Sequence, residues 1–299
     1  MSDNTPNLFV IGVAKSGTTT VHGILDQHPQ VFMSNPKEPR FFSREEEYQK
    51  GFDWYIKQYF SGAENFPVRG EATPTYLFMA QKTAPRIMKD LDSKKIKFIA
   101  IFRNPIDRAY SHYWFNVNTK LRYKEVSSFE TALELEDERL RTDTEFYDRG
   151  SVNYAYFHAG LYAEQLPIYF NIFGRENFLT LLFEDLFIDN FDQTVKTIET
   201  FLEIENHPVS FTKKKESVHL RSKTLARLLH SRGAFRKFVQ SFMPKTIKFN
   251  IKTSLVRYNS QQFSYPPMNP DTRKMLIDKF APDIRLFEQI INRDLSHWQ

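Results

Sequence analysis

The chain reads as an α/β protein: one domain over residues 1–299 with a central, mostly parallel sheet flanked by helices. Three observations predict this. Apolar runs of strand length occur at Leu8–Val13, near Val68, at Ile96–Phe102 and at Phe178–Phe183, and helical patterns lie between them. Strands alternating with helices favour parallel pairing with both sheet faces covered. A glycine- and threonine-rich loop also follows the first run directly. With 299 residues, 41% of them hydrophobic, a substantial core is available, and no repeat or low-complexity linker divides the chain.

The first element is the run Leu8-Phe9-Val10-Ile11. After it come Gly12-Val13-Ala14-Lys15-Ser16-Gly17-Thr18-Thr19-Thr20 and then an amphipathic stretch, Val21 to Leu25. This order predicts strand, tight loop and helix. Backbone N–H groups and the positive end of such a helix converge on an anion, and Lys15 and three threonine hydroxyls add donors. Gly12 and Gly17 have the spacing of a nucleoside-triphosphate loop, but Thr18 stands where that loop needs lysine, and Lys15 lies two residues before Gly17. A single ammonium in this place suits a metal-free phosphosulfate, because a transferred sulfuryl group carries less charge than a phosphoryl group. A magnesium-dependent small-molecule kinase is the alternative.

The run Ile99-Ala100-Ile101-Phe102 ends in Arg103-Asn104-Pro105-Ile106-Asp107. Asn104 suits a helix N-cap, Pro105 the first helical position and Asp107 the first turn. Arg103 therefore sits at a strand end, where parallel sheets bind their ligands. Ser111 shares a helix face with Asp107 and Phe115. An arginine fork plus a serine hydroxyl forms a candidate second phosphate site. Further on, Asn190 is expected to cap a helix with the stripe Phe191, Val195, Ile198 and Leu202. The stretch Tyr154–Phe173 reads as a helix ended or kinked by Pro167. Asn269-Pro270-Asp271 is expected to start another helix, and Ala281-Pro282-Asp283 the last.

Composition limits the chemistry. The chain has no cysteine, which excludes disulfides, thiolate metal sites and cysteine nucleophiles. Its 29 Phe and 14 Tyr predict an aromatic core and cleft. Neither a transmembrane span nor an apolar signal core is found, so a cytoplasmic location is expected. Residues 213–252 hold twelve Lys or Arg against one acid, Glu216, so this segment carries +11 in a chain of net charge +5. By contrast, residues 125–148 hold nine acids against Arg139 and Arg141. Both stretches fit solvated helix faces. In the basic one, Leu225, Leu228, Leu229, Phe235, Phe238, Val239 and Phe242 fall near helical spacing. That also fits peripheral membrane contact or guidance of an acidic substrate. No nucleic-acid partner is expected.

Taken together, these residues resemble the sulfotransferases that use 3′-phosphoadenosine 5′-phosphosulfate (PAPS), in particular the heparan-sulfate type and its bacterial relatives. The resemblance includes the loop 12–19, His28-Pro29, Lys37-Glu38-Pro39-Arg40-Phe41-Phe42 and Gly70-Glu71-Ala72-Thr73-Pro74-Thr75-Tyr76. Phe102-Arg103-Asn104-Pro105, Gly160-Leu161-Tyr162 and Asp294-Leu295-Ser296-His297-Trp298 continue it. It implies the P-loop-like fold of that family, PAPS as donor, 3′,5′-adenosine bisphosphate (PAP) as product, and no metal. Lys15, Ser16, Gly17, Thr18, Thr19 and Thr20 would then bind the 5′-phosphosulfate, with Lys15 stabilising the leaving oxygen. Arg103 and Ser111 would hold the 3′-phosphate, and Tyr162 is carried over as a further cofactor contact.

Glu38 is the base this resemblance implies, taking a proton from an acceptor hydroxyl or amine. Desolvation by Phe41 and Phe42 is expected to raise its pKa; the alternative is an ion pair with Lys37 or Arg40. His22 and His112 are backup bases. The chain departs from the heparan-sulfate pattern at Arg40, where a histidine is common, and at Ala72, where a lysine is. It has no Lys-Gly-Arg loop before Tyr265-Pro266, where Phe263 and Ser264 stand. Arg221 or Arg232 could complete the 3′-phosphate site. The acceptor implied is a carbohydrate, a glycolipid or a natural product.

Overall fold

The computed structural model describes residues 4–91, 96–119, 125–142, 151–209, 217–220, 260–263 and 265–298. Five strands form one sheet: β1 (Leu8–Gly12), β2 (Val31–Met33), β3 (Val68–Ala72), β4 (Lys97–Phe102) and β5 (Phe178–Leu182). Their order is β2-β3-β1-β4-β5. Every pairing is parallel. The chain runs outward from β1 to β2, returns at β3, and then crosses to β4 on the far side of β1. This reversal opens a crevice beyond the carboxyl ends of β1 and β4, the usual ligand position in such sheets.

Alternate residues of the central strands enter two separate cores. Phe9, Ile11, Phe98, Ala100 and Phe102 face one core; Leu8, Val10, Ile99 and Ile101 face the other. The second core is covered by α1 (Thr18–Leu25) and α6 (Phe191–Leu202). The first is larger and more aromatic. It is covered by α2 (Phe52–Tyr59), α3 (Ala80–Asp90), α4 (Pro105–Thr119), α5 (Tyr162–Phe173) and α7 (Pro270–Ile291). Burial on both sides explains why β1 and β4 read as unbroken apolar runs.

Several helix starts lie where the sequence puts them. Asn104 accepts from the Ile106 amide at 3.0 Å as α4 begins. Asn190 accepts from the Gln193 amide at 3.0 Å, and Val195, Ile198 and Leu202 of α6 are buried. Asn269 accepts from the Asp271 amide at 2.9 Å to open α7.

One strand was not foreseen and two expectations need correction. First, β2 lacks a sequence signal, because only three residues pair between Pro29 and Pro36. Second, the stretch 154–173 is not one helix: short 3-10 turns at Ser151–Tyr154 and His158–Gly160 precede α5, which runs through Pro167. Third, Pro282 starts nothing and lies inside α7. An interior proline costs a helix ~3 kcal/mol. Leu276 and Phe280 before Pro282, and Ile284, Phe287 and Ile291 after it, form one buried stripe. Burying each such side chain contributes roughly 1.5–3 kcal/mol, so tertiary packing outweighs the lost hydrogen bond.

An antiparallel pair, β6 (Ser217–Leu220) with β7 (Ser260–Phe263), makes a second, two-stranded sheet. Apart from Ser217–Leu220, the basic segment 213–252 lies outside the described residues, as do Arg221, Arg232 and Ser264.

Candidate active site

The loop after β1 is set by a register shift. Val10 pairs with Ile99, but Gly12 pairs with Ala100, so the strand bulges just before the loop. The Val13 amide then donates to the Ile101 carbonyl at 2.8 Å and holds the loop mouth against β4. Gly17 ends the loop with φ +106°, and a Cβ there would lie 2.8 Å from the Phe187 ring. Only glycine fits both demands. Gly17 offers no side-chain cap to α1, so the first amides of that helix stay available to an anion. Thr18 is buried, Thr19 exposed and Thr20 intermediate. The Ser16 hydroxyl is buried with no hydrogen-bond partner.

Backbone strain marks the same neighbourhood. Among the described residues, five non-glycine residues have positive φ: Lys15, Glu38, Arg40, Glu203 and Asn292. Glu203 and Asn292 are ordinary left-handed helix C-caps. The other three, at φ 73°, 63° and 58°, are the loop lysine and two residues of the Lys-Glu-Pro-Arg motif. Strain that surrounding structure must hold in place gathers at functional sites.

Arg103, at the end of β4, reaches across to the loop, and its guanidinium donates to the Lys15 carbonyl at 3.3 Å. The guanidinium also stacks over the Phe183 ring, 4.7 Å from the centroid. The Lys15 ammonium lies 4.2 Å from the centroid of Phe115 on α4. Burial, and then the Arg103 charge, bring the Lys15 pKa down to about 8. Among the described residues no carboxylate forms an ion pair with either cation. Two neighbouring unneutralised cations at the ends of β1 and β4, beside an orphaned hydroxyl and a free helix start, fit a polyanionic ligand.

Ser111 is buried on α4. One turn before it on the same face, Asp107 pairs with Arg273 at 2.8 Å; one turn after it, Phe115 meets Lys15. Ser111 thus lies along the line that leads to the loop. Tyr162 has a different place from that expected of a cofactor contact. It is wholly buried against Phe102 and Phe287, and its hydroxyl donates to the Arg103 carbonyl at 2.8 Å. That position supports Arg103 from beneath.

The Glu38 carboxylate pairs with Lys37 at 3.1 Å and with Arg40 at 2.6 Å. Burial raises its pKa, but the two cations outweigh burial and hold it below the usual carboxylate range. The expected upward shift is therefore overturned. Phe41 and Phe42 are wholly buried and pack on Tyr55, and Phe42 also packs on Tyr76. Of the backup bases, His22 is part-buried with Nε2 3.5 Å from the Ser34 carbonyl oxygen. Burial pushes the His112 pKa well down, helped by the Arg108 and Lys15 charges, and Nδ1 has no partner.

Sequence reasoning passed over three features of the site. Phe183 and Phe187 stack at 4.4 Å and touch Arg103 and the Gly17 position respectively. Asp283 of α7 accepts from the Tyr162 and Ala163 amides at 2.9 and 3.1 Å, capping α5 beneath Arg103. Glu71, inside a quoted motif but given no role, is a buried carboxyl. Only the stacked pair had a signal, as aromatic residues just beyond a strand end.

A parallel sheet with an anion loop after its central strand and an arginine at the end of the next defines a class: enzymes that move a group from an anionic nucleotide donor. The family is narrower than the class. Residues 5–263 match the family described as "Sulfotransferase domain", and the chain belongs to it. It is 38% identical over 121 residues to the membrane-associated sulfotransferase kil1 of Dictyostelium discoideum, a match covering 40% of this chain and 25% of that protein. The human bifunctional heparan sulfate N-deacetylase/N-sulfotransferase 2 is 33% identical over 122 residues, covering 37% of this chain and 13% of that one. The chain therefore spans a quarter or less of the length of these relatives. A solved sulfotransferase of Alicyclobacillus acidocaldarius superimposes with a TM-score of 0.69 at 28% identity, covering 98% of each chain.

Proposed function

We propose that the chain transfers the sulfuryl group of PAPS to a hydroxyl or an amine of a carbohydrate, glycolipid or natural product. The observation that carries this reading is the Arg103 guanidinium bound at 3.3 Å to the carbonyl of Lys15, with neither cation paired to a carboxylate among the described residues. When bound, PAPS supplies an activated sulfuryl group at one end and a dianionic 3′-phosphate at the other. Lys15, the Ser16 hydroxyl and the first amides of α1 hold the phosphosulfate end. An ammonium there offsets charge on the departing oxygen, the role magnesium plays in phosphoryl transfer. Arg103 and Ser111 hold the second phosphate.

Glu38 takes the acceptor proton. Its side chain is 30% exposed, so an acceptor can reach it, and its two ion pairs keep it ionised. Those pairs also weaken it as a base. The fall in basicity is offset only if acceptor binding loosens one of them. His112, neutral and with Nδ1 free, is the next candidate.

The named relatives include a heparan sulfate N-sulfotransferase and a membrane-associated enzyme. The +11 segment 213–252 favours an acidic or membrane-bound acceptor. Among the described residues no helix is long and apolar enough to cross a membrane. Sulfate-labelled PAPS incubated with the protein and an extract of the source cells should give a labelled product that is absent with Lys15→Ala. Equal labelling by both proteins overturns the proposal.

A further inference from the structure

We propose that Glu71 is a positioning residue for Glu38, anchoring two hydrogen-bond relays that hold the strained turn carrying the base. This inference rests on the assignment of Glu38 above. Glu71 lies near the end of β3, with no solvent exposure. Its Oε1 accepts from the Tyr55 hydroxyl at 2.7 Å and from the Tyr76 hydroxyl at 2.9 Å. Its Oε2 accepts from the Thr73 hydroxyl at 2.6 Å. Two of these donors are themselves acceptors. The Phe42 amide donates to Tyr76 Oη at 3.3 Å, and the Arg40 amide donates to Thr73 Oγ1 at 3.5 Å.

The relays have a direction. A backbone N–H can only donate, so each hydroxyl that accepts one passes its own proton on to Glu71. A carboxylate accepts all three bonds. An amide of the same shape would set an NH2 against hydroxyls whose protons already point at it. Both relays end on the residues just beyond Glu38, where Glu38 and Arg40 have positive φ. What the network fixes is the backbone of the Lys-Glu-Pro-Arg turn.

Protonation of Glu71 would break a relay in the same way. Burial raises its pKa to about 7 against the three hydrogen bonds, and the Glu38 charge adds to the rise. The other titratable groups that face it are Tyr55 and Tyr59 of α2, Tyr76 and, from α5, Tyr169.

Hydrogen–deuterium exchange at the Arg40 and Phe42 amides tests this without an acceptor. Glu71→Gln should raise exchange at both amides about tenfold, the loss of roughly one hydrogen bond each. Thr73→Val should raise it at Arg40 alone, and Thr73→Ser should recover protection. PAP affinity should stay within about twofold of wild type, while cleavage of PAPS by water, giving PAP and sulfate, falls on the order of 10- to 100-fold. Should Glu71→Gln not fold, the Thr73 pair decides. Wild-type exchange at Arg40 in Thr73→Val, or Thr73→Ser no better protected than Thr73→Val, overturns the inference. Undiminished PAPS cleavage by Glu38→Gln instead removes the base assignment and leaves the exchange result standing.

Discussion

The Arg103 guanidinium donates to the backbone carbonyl of Lys15 at 3.3 Å, across the carboxyl ends of β4 and β1. The loop after β1 and the arginine at the end of β4 are therefore tied together. The guanidinium also lowers the Lys15 pKa, second only to burial. An anion bound between the two would reverse that effect.

Lys15→Ala should lower sulfuryl transfer on the order of 10²–10³-fold, the loss of one charge-stabilising donor. Its pH signature is more specific. With a pKa of about 8, the Lys15 ammonium is charged below that pH and neutral above it. Calorimetric PAP affinity of the wild type should fall as pH rises from 7 to 9. The Lys15→Ala variant should bind more weakly and lack that fall.

Glu38→Gln should lower turnover on the order of 10²–10⁴-fold, the range of general-base catalysis, while sparing PAP affinity. Unchanged turnover in that variant, with a loss in His112→Ala, would move the base to α4.

Gly17→Ala should lower the thermal midpoint. Alanine at φ +106° is strained, and its methyl would sit 2.8 Å from Phe187. A destabilisation of about 1–3 kcal/mol is expected. Adding Phe187→Ala should relieve the contact but not the backbone strain, so recovery is partial. Full recovery would show that crowding alone selects glycine here.

Asp283 provides a stability test with a definite sign. Burial raises its pKa to about 6, against the two amide bonds it accepts. A carboxyl protonated more readily in the folded chain than in the unfolded one contributes stability at low pH. That contribution is complete below about 4, where the unfolded carboxyl also titrates, and is lost as pH rises through about 6. The thermal midpoint of wild type relative to Asp283→Asn should therefore be highest near pH 4 and decline towards pH 7. A difference that grows with pH would contradict the assignment.

Much of this was legible in the sequence, and for physical reasons. Strands β1 and β4 are buried on both faces, so they appear as unbroken apolar runs. Asn104, Asn190 and Asn269 announce helix starts because their side chains replace missing backbone partners. Arg103 could be placed because it follows a strand and precedes such a start. The rest depends on distant packing. Pro282 looks like a boundary until the buried stripe on both sides of it is known. The Glu38 pKa sets burial against Lys37 and Arg40, and only geometry decides the winner. Glu71 looks like an ordinary polar strand residue until Tyr55, Thr73 and Tyr76 converge on it. Tyr162 resembles a cofactor contact in the motif, yet its hydroxyl is committed to the Arg103 backbone.

The central claim is that Lys15 and Arg103 grip a bisphosphorylated nucleotide without a metal. Isothermal titration of the wild-type protein with PAP in the presence of EDTA, beside ATP with magnesium, tests it most directly. The account predicts metal-independent binding of PAP that Arg103→Ala weakens, and little or no binding of magnesium-ATP. Magnesium-dependent binding of ATP, with PAP failing to bind in EDTA, would contradict it.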